Sequence, residues 1–372
     1  MKKIDAYVVE SIDAPFVREE LTLDAPGPGE VLVKVVATGV CHTDLNTQAG
    51  DMPLPLPGVL GHEGSGVVEA VGEGVTAVEP GDHVVLGWPY CGQCRNCVRG
   101  EHRYCLNLGA EMLSGVRRHG PKAGESAYAR ADGTTLSGHF FGQSSFATYS
   151  LTRENAVVKV DKDIDLALLG PLACGITTGA GAVFNTAQPA PGESIVIIGA
   201  GAVGLGAVMA AENTPATTII AMDLQDSRLE LATELGATHA VNTRDHDIVE
   251  AVTEICGGPA DYVIDCTGSI RVIERAADAV DMLGTLILVG GAPAEARFSL
   301  DHLRTLWGKN VVGTLGGGST SGELIPALIG LYRQGRFPFD RLVTTYGFDE
   351  MERAIEDAHE GETIKAVLRV AE

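Results

Sequence analysis

The sequence predicts an α/β protein in two parts: a β-rich unit, then a doubly wound parallel sheet with helices on both faces. Three observations predict it. The first third carries short valine-rich runs bounded by proline and glycine, and from about residue 194 apolar strands alternate regularly with helices. The 372 residues, 45% of them apolar, suit about two domains at ~150 residues each.

The β-rich part shows strands over 30–37 (EVLVKVVA), 66–71 and 83–86, with Pro53, Pro55 and Pro57 forcing an extended loop between the first two. Residues 106–138 are glycine-rich and weakly periodic and read as a long loop. The alternation then runs strand 194–198, helix 202–212, strand 217–223, helix 227–235 stopped by Gly236, strand 239–242, helix 248–256, strand 261–266, helix 270–280, and strands 284–289 and 310–315. Six apolar strands separated by helices imply a parallel sheet covered on both faces. A helix to Gln334, another over 349–360 and a strand over 363–370 do not continue that pattern and are expected to return to the first part.

The 27 basic and 49 acidic side chains give a formal net charge of −22. That balance argues against nucleic acid, whose phosphates need clustered Lys and Arg, and against docking on an anionic membrane. Residues 195–211 are uncharged, but Gly199, Gly201, Gly204 and Gly206 interrupt them, so a strand, a turn and a helix explain them better than a span. The first ten residues carry charge and no apolar core of signal-peptide length, so a cytoplasmic location is expected.

Gly199-Ala200-Gly201-Ala202-Val203-Gly204 is a GxGxxG that directly follows one predicted strand and opens a predicted helix. In that setting Gly199 makes the tight turn, Gly201 lets backbone approach a pyrophosphate, and Gly204 brings helix onto strand. The helix N-terminus supplies free N–H groups. Asp223 closes the next strand, 19 residues past Gly204, where a carboxylate accepts from the adenosine ribose hydroxyls and repels a 2′-phosphate. NAD is therefore expected over NADP. A cap on the following turn is the plainer reading of Asp223, and Arg228 either holds the same ribose or lies on a solvated helix.

Cys91, Cys94, Cys97 and Cys105 put four thiols within 15 residues, the spacing of a closed, structural tetrahedral zinc site. Disulfides or small core residues are the alternatives. Cys41, His62 and Cys174 are dispersed, each in a glycine-flanked segment, and would leave a fourth position open as catalytic zinc requires; spacing alone supports that set weakly.

GVCHTD (39–44), GHEGSGVV (61–68), the four-cysteine loop, GPLACGITTGAG (170–181) and GAGAVG (199–204) together resemble the zinc-dependent medium-chain alcohol dehydrogenases over essentially the whole chain. GQSSFATY (142–149) resembles their benzyl- or aryl-alcohol branch. The resemblance implies a GroES-like catalytic domain from 1–175 and 319–372, with a Rossmann domain at 176–318 and the active site in the cleft. It implies two zinc ions per chain, the catalytic one on Cys41, His62 and Cys174, and a homodimer or homotetramer. Asp44 would orient His62, Glu63 would lie behind the metal, and Thr43 would take the proton of the alcohol. His42 and Lys365 would face the pyrophosphate, Thr178 and Val203 would flank the nicotinamide, and backbone near Ala292 and Gly317 would hold its carboxamide. Phe140 and Phe141 resemble pocket-wall residues, with Met52 and Trp88 nearby; an aromatic wall and a polarizable Met suit an aryl or bulky primary alcohol, oxidised reversibly to the aldehyde with NAD. Asn46 stands where many members have a relaying histidine, and Asn cannot titrate, which leaves the proton route past Thr43 open. A thiol-adduct formaldehyde dehydrogenase is the neighbouring alternative and would need a cationic pocket; a binding protein that has lost catalysis is the other.

Overall fold

The inner runs between residues 194 and 265, Ser194–Ile198 above all, carry no polar face and must be buried on both sides, which a parallel sheet with helices above and below achieves. The computed structural model, which describes residues 1–318 and 320–371, builds this sheet in the order His239–Asn242, Thr218–Asp223, Ser194–Ile198, Ala260–Asp265, Val280–Leu288, Asn310–Gly313. Every neighbouring pair is parallel. Numbered along the chain, the order is 3-2-1-4-5-6, which reverses beside Ser194–Ile198 and so places the glycine loop at the switch point. Val196, Ile198, Val263 and Leu286 fill one face with Val252, Ile273 and Ala276 from the covering helices.

Gly175–Gly181 and Ala202–Glu212 cross at glycines: a Cβ on Gly179 would lie 1.8 Å from the Val203 carbonyl oxygen. That contact needs backbone against backbone. No single helix among the described residues is long and apolar enough to cross a membrane, and residues 195–211 divide into a strand and a helix at the glycine turn, as their composition requires.

The first third forms two antiparallel-rich sheets. One runs Gly58–Val59, Lys2–Val9, Phe16–Leu23, Tyr128–Ala129, Thr135–Leu136; the other runs Val157–Val160, His83–Leu86, Gly64–Val71, Glu30–Gly39, Lys365–Arg369, Val343–Gly347, with Tyr149–Arg153 also on Glu30–Gly39. The C-terminal strand thus returns to the first part. Residues 106–138, expected to be a long loop, contain the helix Leu108–Leu113 and two short strands that extend the first sheet. Their order comes from packing, because Leu108, Met112, Tyr128 and Leu136 are all buried.

Two units emerge: Met1–Cys174 with Thr320–Pro326 and Asp340–Glu372, and Gly175–Ser319 with Ala327–Phe339. The sequence places all of 319–372 with the first unit. Ala327–Phe339 instead joins the second, where Asn213 Nδ2 donates to the Arg336 carbonyl. Ser319, the expected boundary, and Glu372 lie outside the described residues.

His139 is buried next to Arg117, and burial followed by that guanidinium pushes its pKa down to about 4. The unfolded imidazole takes its proton first as pH falls, so this part of the stability is complete above pH 6.5 and is lost toward pH 4, about 3 kcal/mol in all. His139→Asn, which tolerates the left-handed φ of 56° at this position, is expected to flatten the fall of the melting temperature across that window. Equal slopes for the two proteins would refute the assignment.

Candidate active site

Cys41, the adjacent His62 and Glu63, and Cys174 are held by three separate segments, yet one ligand atom from each residue lies within 4.8 Å of the others. Cys41 caps the helix His42–Gln48, whose Asp44 turns back: its Oδ2 accepts from the Cys41 N–H at 3.1 Å and its Oδ1 from the Gly61 N–H at 3.0 Å. The same Oδ1 lies 2.9 Å from His62 Nδ1. That bond places the imidazole proton on Nδ1 and leaves Nε2, buried and without a hydrogen-bond partner, as a bare acceptor. Gly61 makes the approach possible: its φ is +90°, and a Cβ there would lie 2.4 Å from the Phe146 amide nitrogen.

Burial opposes charge on His62, but Asp44 and Cys41 hold its pKa well above the imidazole range. The Cys41 thiol is held well below its usual range, chiefly by its hydrogen bond with Cys174. Burial pushes Glu63 up to about 7 against the pull of Lys365. Two sulfurs, a bare imidazole nitrogen and a carboxylate in one buried cluster fit a zinc ion.

Lys365, expected at the pyrophosphate, is only 4% exposed, with its Nζ 2.9 Å from Glu63 and 3.0 Å from the Val40 carbonyl. The structure makes it the counter-ion of the buried carboxylate. His42 and Asn46 are exposed on the same short helix, and Thr43 is half-buried.

The second cysteine cluster closes on itself. One Sγ from each of Cys91, Cys94, Cys97 and Cys105 lies within 4.8 Å of the rest, and all four thiols are free. Backbone N–H groups of Cys97 and Leu106 draw the Cys94 thiol down to about 6, whereas burial and the neighbouring Cys94 push Cys97 up to about 12. Thiols this close cannot all ionise without a cation, so this set also fits zinc.

Phe141 tilts over the His62 ring at 4.6 Å, Phe140 meets it edge-on at 5.7 Å, and Trp88 meets Phe141 edge-on at 5.1 Å. Phe140 is fully buried and Phe141 3% exposed, while Met52 is half-buried against the same cluster. Sequence reasoning missed Gln143. It is fully buried, donates from Nε2 to the carbonyls of His62 (2.9 Å) and Leu86 (3.0 Å), and accepts at Oε1 from the Gly64 N–H (3.0 Å). In the sequence, GQSSFATY (142–149) carries only a family resemblance.

In the second unit Gly199 has φ +96°, Gly201 caps Ala202–Glu212, and a Cβ on Gly204 would lie 1.8 Å from the Gly199 carbonyl oxygen. The Asp223 carboxylate accepts from the N–H groups of Ala200 (2.6 Å), Leu224 and Gln225, so it ties the glycine loop to its own turn. Val203, Thr178 and Arg228 are half-buried. Gly317, its carbonyl taken by Asn185 Nδ2, is buried, and Ala292 is exposed.

Residues 27–162 match the alcohol dehydrogenase GroES-like domain and residues 202–331 the zinc-binding dehydrogenase family. A geraniol dehydrogenase of Castellaniella defragrans is 40% identical, over 98% of this chain and 96% of that protein. The crystal structure of benzyl alcohol dehydrogenase from Acinetobacter calcoaceticus aligns along the full length of both chains with 44% identity and a TM-score of 0.95. An S-(hydroxymethyl)glutathione dehydrogenase of Paracoccus denitrificans is 35% identical over 94% of this chain and 95% of that protein. Fold, site and relatives define a dehydrogenase built for zinc. The chain belongs to the zinc-dependent alcohol dehydrogenase family, enzymes that act on small alcohols with a nicotinamide dinucleotide.

Proposed function

We propose that this enzyme oxidises benzylic or allylic primary alcohols to aldehydes with NAD, reversibly, at Cys41, His62 and Cys174. The observation that carries the substrate class is the aromatic cluster of Phe140, Phe141 and Trp88 packed around the His62 imidazole, a surrounding that suits a flat aryl or allylic alcohol. The geraniol and benzyl alcohol dehydrogenases among the relatives support it.

Bound zinc supplies Lewis acidity that lowers the pKa of the alcohol hydroxyl, and nicotinamide is the hydride acceptor. The chain's own part is positional. Asp44 holds the Nδ1 side of His62 and leaves Nε2 for the metal, Lys365 balances Glu63, and the Thr43 hydroxyl would receive the alcohol proton. Asn46 shares the Thr43 face of the helix and cannot titrate, so it would not itself relay the proton onward from Thr43. Cys91, Cys94, Cys97 and Cys105 hold the structural ion.

In this reading 1–175 and 319–372, apart from Ala327–Phe339, form the catalytic domain, and 176–318 together with Ala327–Phe339 the dinucleotide domain. His42 faces the pyrophosphate, while Gly199, Gly201, Gly204, Val203, Thr178, Ala292 and Gly317 surround the cofactor, with Asp223 and Arg228 at its ribose. Asp223→Asn is expected to raise the KM for NAD about tenfold and to narrow the preference over NADP, with kcat nearly unchanged; an unaltered NAD/NADP ratio would remove Asp223 from the ribose. Among the described residues no disulfide joins the eight cysteines, which supports a cytoplasmic enzyme. The sheet-edge strand Asn310–Gly313, with exposed Leu283, Leu306 and Trp307 close to it in sequence or by pairing, supports a homodimer.

The test is initial-rate NADH formation with benzyl alcohol, geraniol, ethanol, and formaldehyde plus glutathione. The aryl and allylic alcohols are expected to exceed ethanol in kcat/KM by about tenfold or more, the worth of a filled aromatic pocket. Turnover of the glutathione adduct alone would establish the formaldehyde dehydrogenase instead.

A further inference from the structure

A cavity of about 270 Å³ lies in the first unit and takes Trp88 from the predicted alcohol pocket, but none of Met52, Phe140, Phe141 or the four metal-facing residues. Arg103 lines it with its side chain buried, 5% exposed. The guanidinium is fixed twice: Nη2 donates to Ser321 Oγ at 2.9 Å, and its central carbon sits 4.5 Å over the Trp88 ring. Trp88, 8% exposed, has an indole N–H without a hydrogen-bond partner, and Asn155 on the same lining has a buried Oδ1 without one. Tyr90 and Leu108 add flat and apolar wall.

We propose that this cavity is a binding site for a small planar carboxylate, a single-ring arene carboxylate. A guanidinium presents a flat fork that matches a carboxylate, and stacking on Trp88 sets its plane in advance, so little side-chain freedom is lost on binding. The volume lies just below the usual range for ligand pockets and fits one ring with its acid group. Glu154 on the lining disfavours a dianion such as a phosphate monoester; its own Oε1 accepts from the Ala77 N–H.

Trp88 separates this cavity from Phe141 and so from His62, which places the carboxylate one aromatic layer from the metal-facing residues. An arene carboxylate is also the acid that lies one oxidation beyond an aryl aldehyde. That chemical link rests on the proposed substrate class, whereas the site does not, and a binding measurement without turnover separates the two.

The chain has two tryptophans, and Trp307 is exposed, so Trp307→Phe leaves Trp88 as the reporter in the full-length, zinc-loaded enzyme. Benzoate is expected to change indole fluorescence saturably, and benzamide, its neutral isostere, to bind at least about tenfold more weakly. Arg103→Gln is expected to weaken benzoate by about tenfold or more. Ser321→Asp puts a carboxylate on the guanidinium without removing it and is expected to abolish the response while melting temperature and zinc content are kept. A response absent in the parent, equal for benzoate and benzamide, or unchanged in Ser321→Asp would overturn the assignment.

Discussion

Cys41→Ser is expected to lower kcat/KM for benzyl alcohol by about 10³–10⁴-fold, because several kcal/mol of transition-state charge stabilisation depend on the metal that Cys41 helps to hold. The fold is expected to survive. Cys41 is the N-cap of His42–Gln48, where serine is at least as good a cap, and the Asp44 Oδ2 bond to its backbone N–H does not involve the side chain. One zinc per chain should be lost and the four-cysteine zinc kept, with NADH binding unaffected. Cys94→Ser should do the opposite, losing the other ion and lowering the melting temperature before activity. Metal analysis and calorimetry on the two variants check this division; the same purely catalytic loss in both would contradict it.

Gln143→Leu is expected to be the most damaging substitution that touches no proposed ligand side chain. It removes three hydrogen bonds, from the His62 and Leu86 carbonyls and the Gly64 N–H, about 3–9 kcal/mol at 1–3 kcal/mol for each such buried group. Because one of those carbonyls is that of His62, catalytic zinc should be lost well below the unfolding midpoint. Gln143→Glu keeps the acceptor for Gly64 and should cost less. Urea unfolding with zinc release measures both; a Leu variant within about 1 kcal/mol of the parent would show that Gln143 does not brace the site.

The parallel sheet was legible because strands buried on both faces read as unbroken apolar runs, Ser194–Ile198 above all, and because glycines mark their turns. The strand Phe16–Leu23 drew no notice: Arg18, Glu19 and Glu20 interrupt it, and only its neighbours on the sheet give it a role. The helix Leu108–Leu113 is short, and packing rather than periodicity specifies it. Cys41, His62 and Cys174 could be proposed because thiols and imidazoles are scarce and chemically marked. Lys365 was seen as a base but aimed at the wrong partner, since nothing in the chain shows that Glu63, 302 residues away, lies beside it. Gln143 carries no chemical mark at all; only the three backbone groups it joins reveal its work.

The most direct test of the account is NADH formation from benzyl alcohol followed against zinc content in the full-length enzyme. The account predicts turnover with two zinc ions per chain, its loss in step with the first ion released by a chelator, and its return on adding zinc. Undiminished turnover after that ion is gone, or none on any alcohol with both ions bound, would contradict it.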